Sequence, residues 1–192
     1  MKTSLIKIIT IFSVSLGGIG LVGGGFFLSR ALDKSEANQI VKDTGRYQEV
    51  RSKLWLNQAQ IKHFPTQIPV DATGVRFVYS PGYMQGGNVL QLRMKQPQSK
   101  IATLATQYRQ AAKYKFRGGN TNEHINKPNG VPTTFFHTSD DTTDNTFPFE
   151  YEILVLGADD KGRKDFQWNH GDSYGVAINP QASEIIYWAE AW

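Results

Sequence analysis

Residues 89–112 read VLQLRMKQPQSKIATLATQYRQAA, and this stretch decides the fold class because its hydrophobic period changes partway along. Val89 to Met94 is strand-like, rich in apolar residues over a length too short for a helix, and Pro97 interrupts it. Beyond the proline, Ile101, Leu104, Ala105, Tyr108, Ala111 and Ala112 recur at helical spacing, which predicts an amphipathic helix with Ser99 near its start. Gly118 and Gly119 close that element, and the polar stretch 120–130 reads as a loop.

Upstream, Val75 to Tyr79 forms a second strand, joined to the first across Pro81, Gly82, Gly86 and Gly87. Before it, Val50, Leu54 and Ile61 beside Trp55 and Leu56 predict a helix over 47–63, which Phe64-Pro65 ends. Downstream, 133–138 and 149–156 read as strands, the second placing Phe149, Tyr151, Ile153 and Val155 on one face. Residues 174–178 and 184–189 make a terminal hairpin around Asn179-Pro180. Strands in runs, without strict alternation with helices, predict an α+β domain: a mainly antiparallel sheet of about five or six strands, with two or three helices on one face.

The N-terminal region obeys different rules. Ile8 to Leu28 contains no charged residue, and about 20 such residues cross the hydrocarbon core of a bilayer. The expectation is a membrane anchor over 1–30, a polar stalk over 31–46 and a globular domain over 47–192. Gly20 and Gly24 carry the spacing of a small-residue helix contact, extended by Gly17 and Ser13. Gly18-Ile19-Gly20-Leu21-Val22-Gly23 matches a dinucleotide fingerprint, but the apolar residues after it cannot supply the polar face of a Rossmann helix. A cleaved signal peptide is the rival, with Lys2 and Lys7 as its basic start; its apolar core exceeds the usual 7 to about 15 residues, and Arg30 sits in the cleavage region. The expected location is a single-pass protein of a bacterial-type cytoplasmic membrane with the C-terminal domain outside. The four basic residues Arg30, Lys34, Lys42 and Arg46 after the span point the other way, a rule that weakens for long translocated domains.

Of the net charge of +4, Lys2, Lys7 and Arg30 supply three units, so the rest of the chain is nearly neutral. That gives no basic stripe and no nucleic-acid expectation. The absence of cysteine removes lipid-modified cysteine and thiolate metal ligands.

Several motifs invite chemistry. Gly171-Asp172-Ser173-Tyr174-Gly175 matches the G-x-S-x-G elbow, yet a strand follows the serine where a helix is required. His63, His124, His137 and His170 are scattered, without zinc-helix spacing. Asp140, Asp141 and Asp144, like Asp159, Asp160 and Asp165, read as acidic turns and not as calcium loops. Glu150 and Glu152, two apart on an expected strand, share a face as a solvated edge. The densest group able to stack, donate and accept is Trp168, Asn169, His170 and Asp172, the candidate ligand-binding site. Tyr187, Trp188 and Trp192 read as core aromatics, with an aromatic platform including Trp55 as the alternative.

These features predict a membrane-tethered domain that binds or scaffolds without catalysis, with no cofactor and no metal, and with a membrane protein, a glycan or a peptide as its partner. The competing expectation is an exported hydrolase built on His170 and Asp172, joined by His124 or Glu152.

Overall fold

The computed structural model describes residues 39–82, 87–119, 131–141, 146–165 and 167–192. The chain divides into two units, Met1–Gln39 and Ile40–Trp192. The apolar span 8–28, its glycines Gly17, Gly20 and Gly24, and His124 lie outside the described residues. Among the described residues no helix is long and apolar enough to cross a membrane.

Six strands form one antiparallel sheet: β1 (Thr73–Pro81), β2 (Asn88–Lys95), β3 (Tyr114–Arg117), β4 (Glu152–Asp160), β5 (Gly171–Asn179) and β6 (Glu184–Ala191). Their order is β1-β2-β6-β5-β4-β3, so β3 and β1 are the edges. Two helices accompany the sheet, α1 (Tyr47–Glu49) and α2 (Gln98–Ala111). The mainly antiparallel α+β expectation holds, with strand number at its upper end.

The period change at Pro97 is where β2 hands over to α2. Ile101, Ala105 and Tyr108 are the buried residues of α2, spaced four and three apart as one helical face requires. They join Leu90, Leu92, Met94, Leu154, Val176, Ile178, Ile185 and Tyr187 in the larger core cluster. The Tyr108 hydroxyl donates to the His63 carbonyl at 3.0 Å, which pins α2 to the segment before β1.

That segment departs from the helix expected over 47–63. A 3-10 turn (Thr44–Arg46), α1 and a π turn (Val50–Leu54) run in series, Trp55 leaves in extended geometry, and a second 3-10 turn covers Gln58–Ile61. Tyr47, Val50, Trp55 and Ile61 are all buried, so the segment presents the apolar face that the sequence announced while its winding changes along its length. Within the segment expected as a stalk, Val41 is buried and exchanges two 2.8 Å backbone bonds with Tyr79.

Among the described residues, no helix covers the opposite face of the sheet. Val131, Phe136 and Phe147 are buried against Tyr151, Ile153, Val155, Ala177, Ile186 and Trp188. Residues 133–138, expected as a strand, run here as irregular backbone. Buried Gln91 explains why: its amide nitrogen donates to the Phe135 carbonyl at 2.9 Å, and its oxygen accepts from the Thr138 amide and hydroxyl, each at 2.8 Å. A side chain thus satisfies the backbone that a neighbouring strand would otherwise have satisfied.

The strand expected over 149–156 begins later, at Glu152. Phe149 and Glu150 occupy a turn closed by the Tyr151 amide on the Pro148 carbonyl at 3.1 Å, and Phe149 is 63% exposed. Glu150 and Glu152 therefore do not share a strand. The terminal hairpin is present as expected: Asn179 Oδ1 accepts from the amides of Gln181 and Ala182 at 3.1 and 3.0 Å, an Asx turn that reverses the chain.

Candidate functional site

Trp168, Asn169 and His170 lie in the loop between β4 and β5, and Asp172 begins β5. The loop is closed by its own polar groups. Asp160 Oδ1 accepts from the amides of Gly162 and Trp168 at 2.8 and 3.0 Å, and Asn169 Oδ1 accepts from the Arg163 amide at 3.2 Å. Lys161 donates its amide to the His170 carbonyl at 2.8 Å, and its ammonium lies 2.6 Å from Asp172 Oδ2. That hydrogen bond to Asp172 raises the Lys161 pKa.

Trp192 completes the closure. It exchanges backbone bonds with Gly171 at 3.1 and 3.0 Å, and its indole donates to the Trp168 carbonyl at 2.8 Å. Trp168 has φ +58°, a left-handed conformation that costs a non-glycine residue energy unless neighbours enforce it. Here the Asp160 carboxylate and the Trp192 indole hold its amide and carbonyl. Trp168, Asn169 and Asp172 thus converge on one loop, with their polar groups committed to holding it, while His170 is exposed.

Of the two additional residues of a hydrolase site, His124 lies outside the described residues and Glu152 does not gather there. Glu152 opens β4 and binds Arg109 at 2.7 Å, whereas Asp172 pairs in register with Asp159 near the far end. Seven residues at roughly 3.4 Å each separate the two ends, too far for shared chemistry. Ser173 is buried within β5, and the strand continues to Asn179, so no elbow exists.

Of the other histidine and tryptophan candidates, His63, Trp55 and Trp188 pack in or against the core, whereas His137 is exposed. His63 Nε2 donates to the Gly175 carbonyl at 2.9 Å, and burial pushes its pKa down to about 4. Trp55, Tyr187 and Trp188 are buried, and Tyr187 and Trp188 belong to core clusters on opposite faces of the sheet. A shared platform of these rings is thereby excluded. Among the described residues no group of three His, Asp or Glu side chains could hold a metal ion.

The polar network that sequence reasoning missed lies under the irregular cover. Glu184, 2% exposed, faces the Arg93 guanidinium at 3.0 Å and accepts from the Tyr151 hydroxyl. Arg93 also reaches Asp140 and the Thr138 carbonyl, each at 3.0 Å, and stands 5.2 Å over the Phe136 ring. Arg93 and Glu184 sit on neighbouring strands, near the register pair Lys95 and Glu184, and nothing in a single strand's pattern announces that pairing.

A cleft of about 280 Å³ opens at the end of the sheet away from the Trp168 loop, lined by Arg117, Phe149, Glu150, Pro180 and Gln181. The Arg117 guanidinium lies 4.8 Å from the centre of the Phe149 ring, an attraction of cation for aromatic face. Two turns build this place: the one before β4 supplies Phe149 and Glu150, and the β5–β6 turn supplies Pro180 and Gln181.

No family model matches the chain, and no curated protein or solved structure matches it. Function therefore rests on the site, since a fold alone hosts many activities.

Proposed function

We propose that this protein is a membrane-tethered binding module. Residues 8–28 anchor it in the bilayer of a bacterial-type cytoplasmic membrane, and the six-stranded domain, held outside, engages a membrane-protein or peptide partner without carrying out catalysis. The uncharged 21-residue run supports the tether.

The observation that carries the binding role is the open cleft with an arginine stacked on an exposed phenylalanine. Such cation and aromatic pairs recur where proteins meet partners, because each gives much contact area per immobilised side chain. The loop at Trp168 to Asp172 favours the same reading, since Asp172 is engaged by Lys161 and Asn169 by the Arg163 amide. Those bonds leave that loop a stapled hairpin end.

Full-length protein extracted in mild detergent is expected to migrate with a partner, and Phe149→Ala with Arg117→Ala to release it while circular dichroism stays unchanged. Identical migration of wild type and the double variant, at the mass of the chain alone, contradicts the reading.

A further inference from the structure

The outer edge of β3 carries main-chain groups whose directions can be assigned. β3 pairs with β4 on one side, and among the described residues nothing pairs with its other side. The bonds at its two ends fix which main-chain groups face outward. Gly118 donates to the Tyr151 carbonyl at 2.9 Å, in step with the β3–β4 register. Lys113 donates to the Val155 carbonyl at 2.9 Å, one residue out of step with the pair Tyr114 and Val155, as occurs where a bulge places two successive amides on one carbonyl.

Hydrogen-bonded positions alternate along an antiparallel pair. Tyr114, Phe116 and Gly118 therefore turn their amide and carbonyl groups toward β4, and Lys115 and Arg117 turn theirs outward. These two residues also carry the positive charge of the strand. Both are exposed, and among the described residues neither forms an ion pair, because Glu152, opposite Arg117 in the register, is held by Arg109. Successive side chains alternate between faces, so Lys115 and Arg117 share one face while Phe116 packs against the core on the other.

We propose that β3 is a docking edge for an extended acidic peptide, which adds as a seventh strand on the outward main-chain groups of Lys115 and Arg117 and sets carboxylates at alternate positions against their side chains. The inference rests on the binding-module reading and names its partner class. Strand addition draws affinity from main-chain bonds and specificity from alternate side chains. A second copy of β3 is the wrong occupant, since it would oppose like charges across the new pair. The cleft lies at the Arg117 end, where an added strand passes Phe149.

The test uses full-length protein in lipid nanodiscs and a blocked octapeptide alternating glutamate and valine, with its lysine-for-glutamate counterpart as control. Amide exchange at residues 115 and 117 is expected to slow about tenfold with the acidic peptide and to stay unchanged with the basic one. Lys115→Pro removes an outward donor while sparing every bond to β4; it is expected to lose binding well beyond Lys115→Gln, and Lys115→Gln with Arg117→Gln to weaken it about tenfold. Equal binding of both peptides, unchanged exchange at 115 and 117, or an unaffected double glutamine variant overturns the proposal. Those results leave the broader reading standing if a co-migrating partner still depends on Phe149; loss of that dependence together with them removes both.

Discussion

Two buried titratable residues set opposite pH dependences. Burial pushes the His63 pKa from 6.5 down to about 4, and pushes Glu190 from 4.5 up to about 7. For His63 the unfolded chain binds the extra proton between those values, so its contribution to stability grows as pH rises from about 4 to 6.5. For Glu190 the folded chain holds the extra proton, so stability falls as pH rises from about 4.5 to 7. Each slope is at most about 1.4 kcal/mol per pH unit, and the two largely cancel. Urea midpoints of full-length protein in detergent, followed by tryptophan fluorescence from pH 4 to 8, are expected to separate them: Glu190→Gln gives a steeper rise with pH than wild type, and His63→Phe a fall. Parallel curves for all three proteins contradict both assignments. The Arg93 and Glu184 pair gives a second residue-level prediction. Arg93 is 14% and Glu184 2% exposed, and removing one partner of a buried ion pair costs about 3 kcal/mol or more. Arg93→Ala should lower stability by that amount, and Arg93→Ala with Glu184→Gln should recover part of it; a loss under about 1 kcal/mol means that the pair is solvent-screened.

At the scale of elements, the close of β3 is the most sensitive joint. A Cβ on Gly118 would run into the carbonyl oxygens of Pro148 and Phe147, backbone atoms that cannot swing aside. Gly118→Ala should therefore cost about 2 kcal/mol and speed amide exchange in β3 before the rest of the sheet, whereas uniform exchange would mean that the strand does not depend on this approach. The elements legible in the sequence were β1, β2, α2 and the terminal hairpin, although α2 ends at Ala111 and β3 fills the stretch up to Gly118, where the helix was expected to close. Those that escaped depend on distant partners. The winding of 44–61 departs from a regular helix although Tyr47, Val50, Trp55 and Ile61 all reach one core, and residues 133–138 resemble a strand because buried Thr134, Phe136 and Thr138 alternate with exposed Phe135 and His137, although Gln91 and Arg93 hold them instead of a ladder. The candidate site was half legible. Trp168, Asn169 and Asp172 do meet, but as the staples of a loop closed by Trp192. The cleft at Arg117 needed two turns and an edge strand that only the strand order brings together.

For the whole molecule, the charge distribution and the topology complement each other. The four-unit positive charge is concentrated near the N-terminal span, where three of its units flank residues 8–28; basic residues beside a bilayer are attracted to anionic headgroups. The domain is nearly neutral, and α2 with the preceding turns covers one sheet face while the irregular segment covers the other. Among the described residues both faces are covered, so the proposed partner sites are the β3 edge, with its outward main-chain groups, and the cleft, with its exposed aromatic ring. Membrane extraction tests the proposed lipid anchor directly. Membranes from cells making the full-length chain are washed at alkaline pH, and the protein is then released with detergent and its intact mass measured. The prediction is an unprocessed chain that stays with the lipid until detergent is added; a shortened chain lacking its first 30 residues, or a full-length one freed by the alkaline wash, contradicts the account.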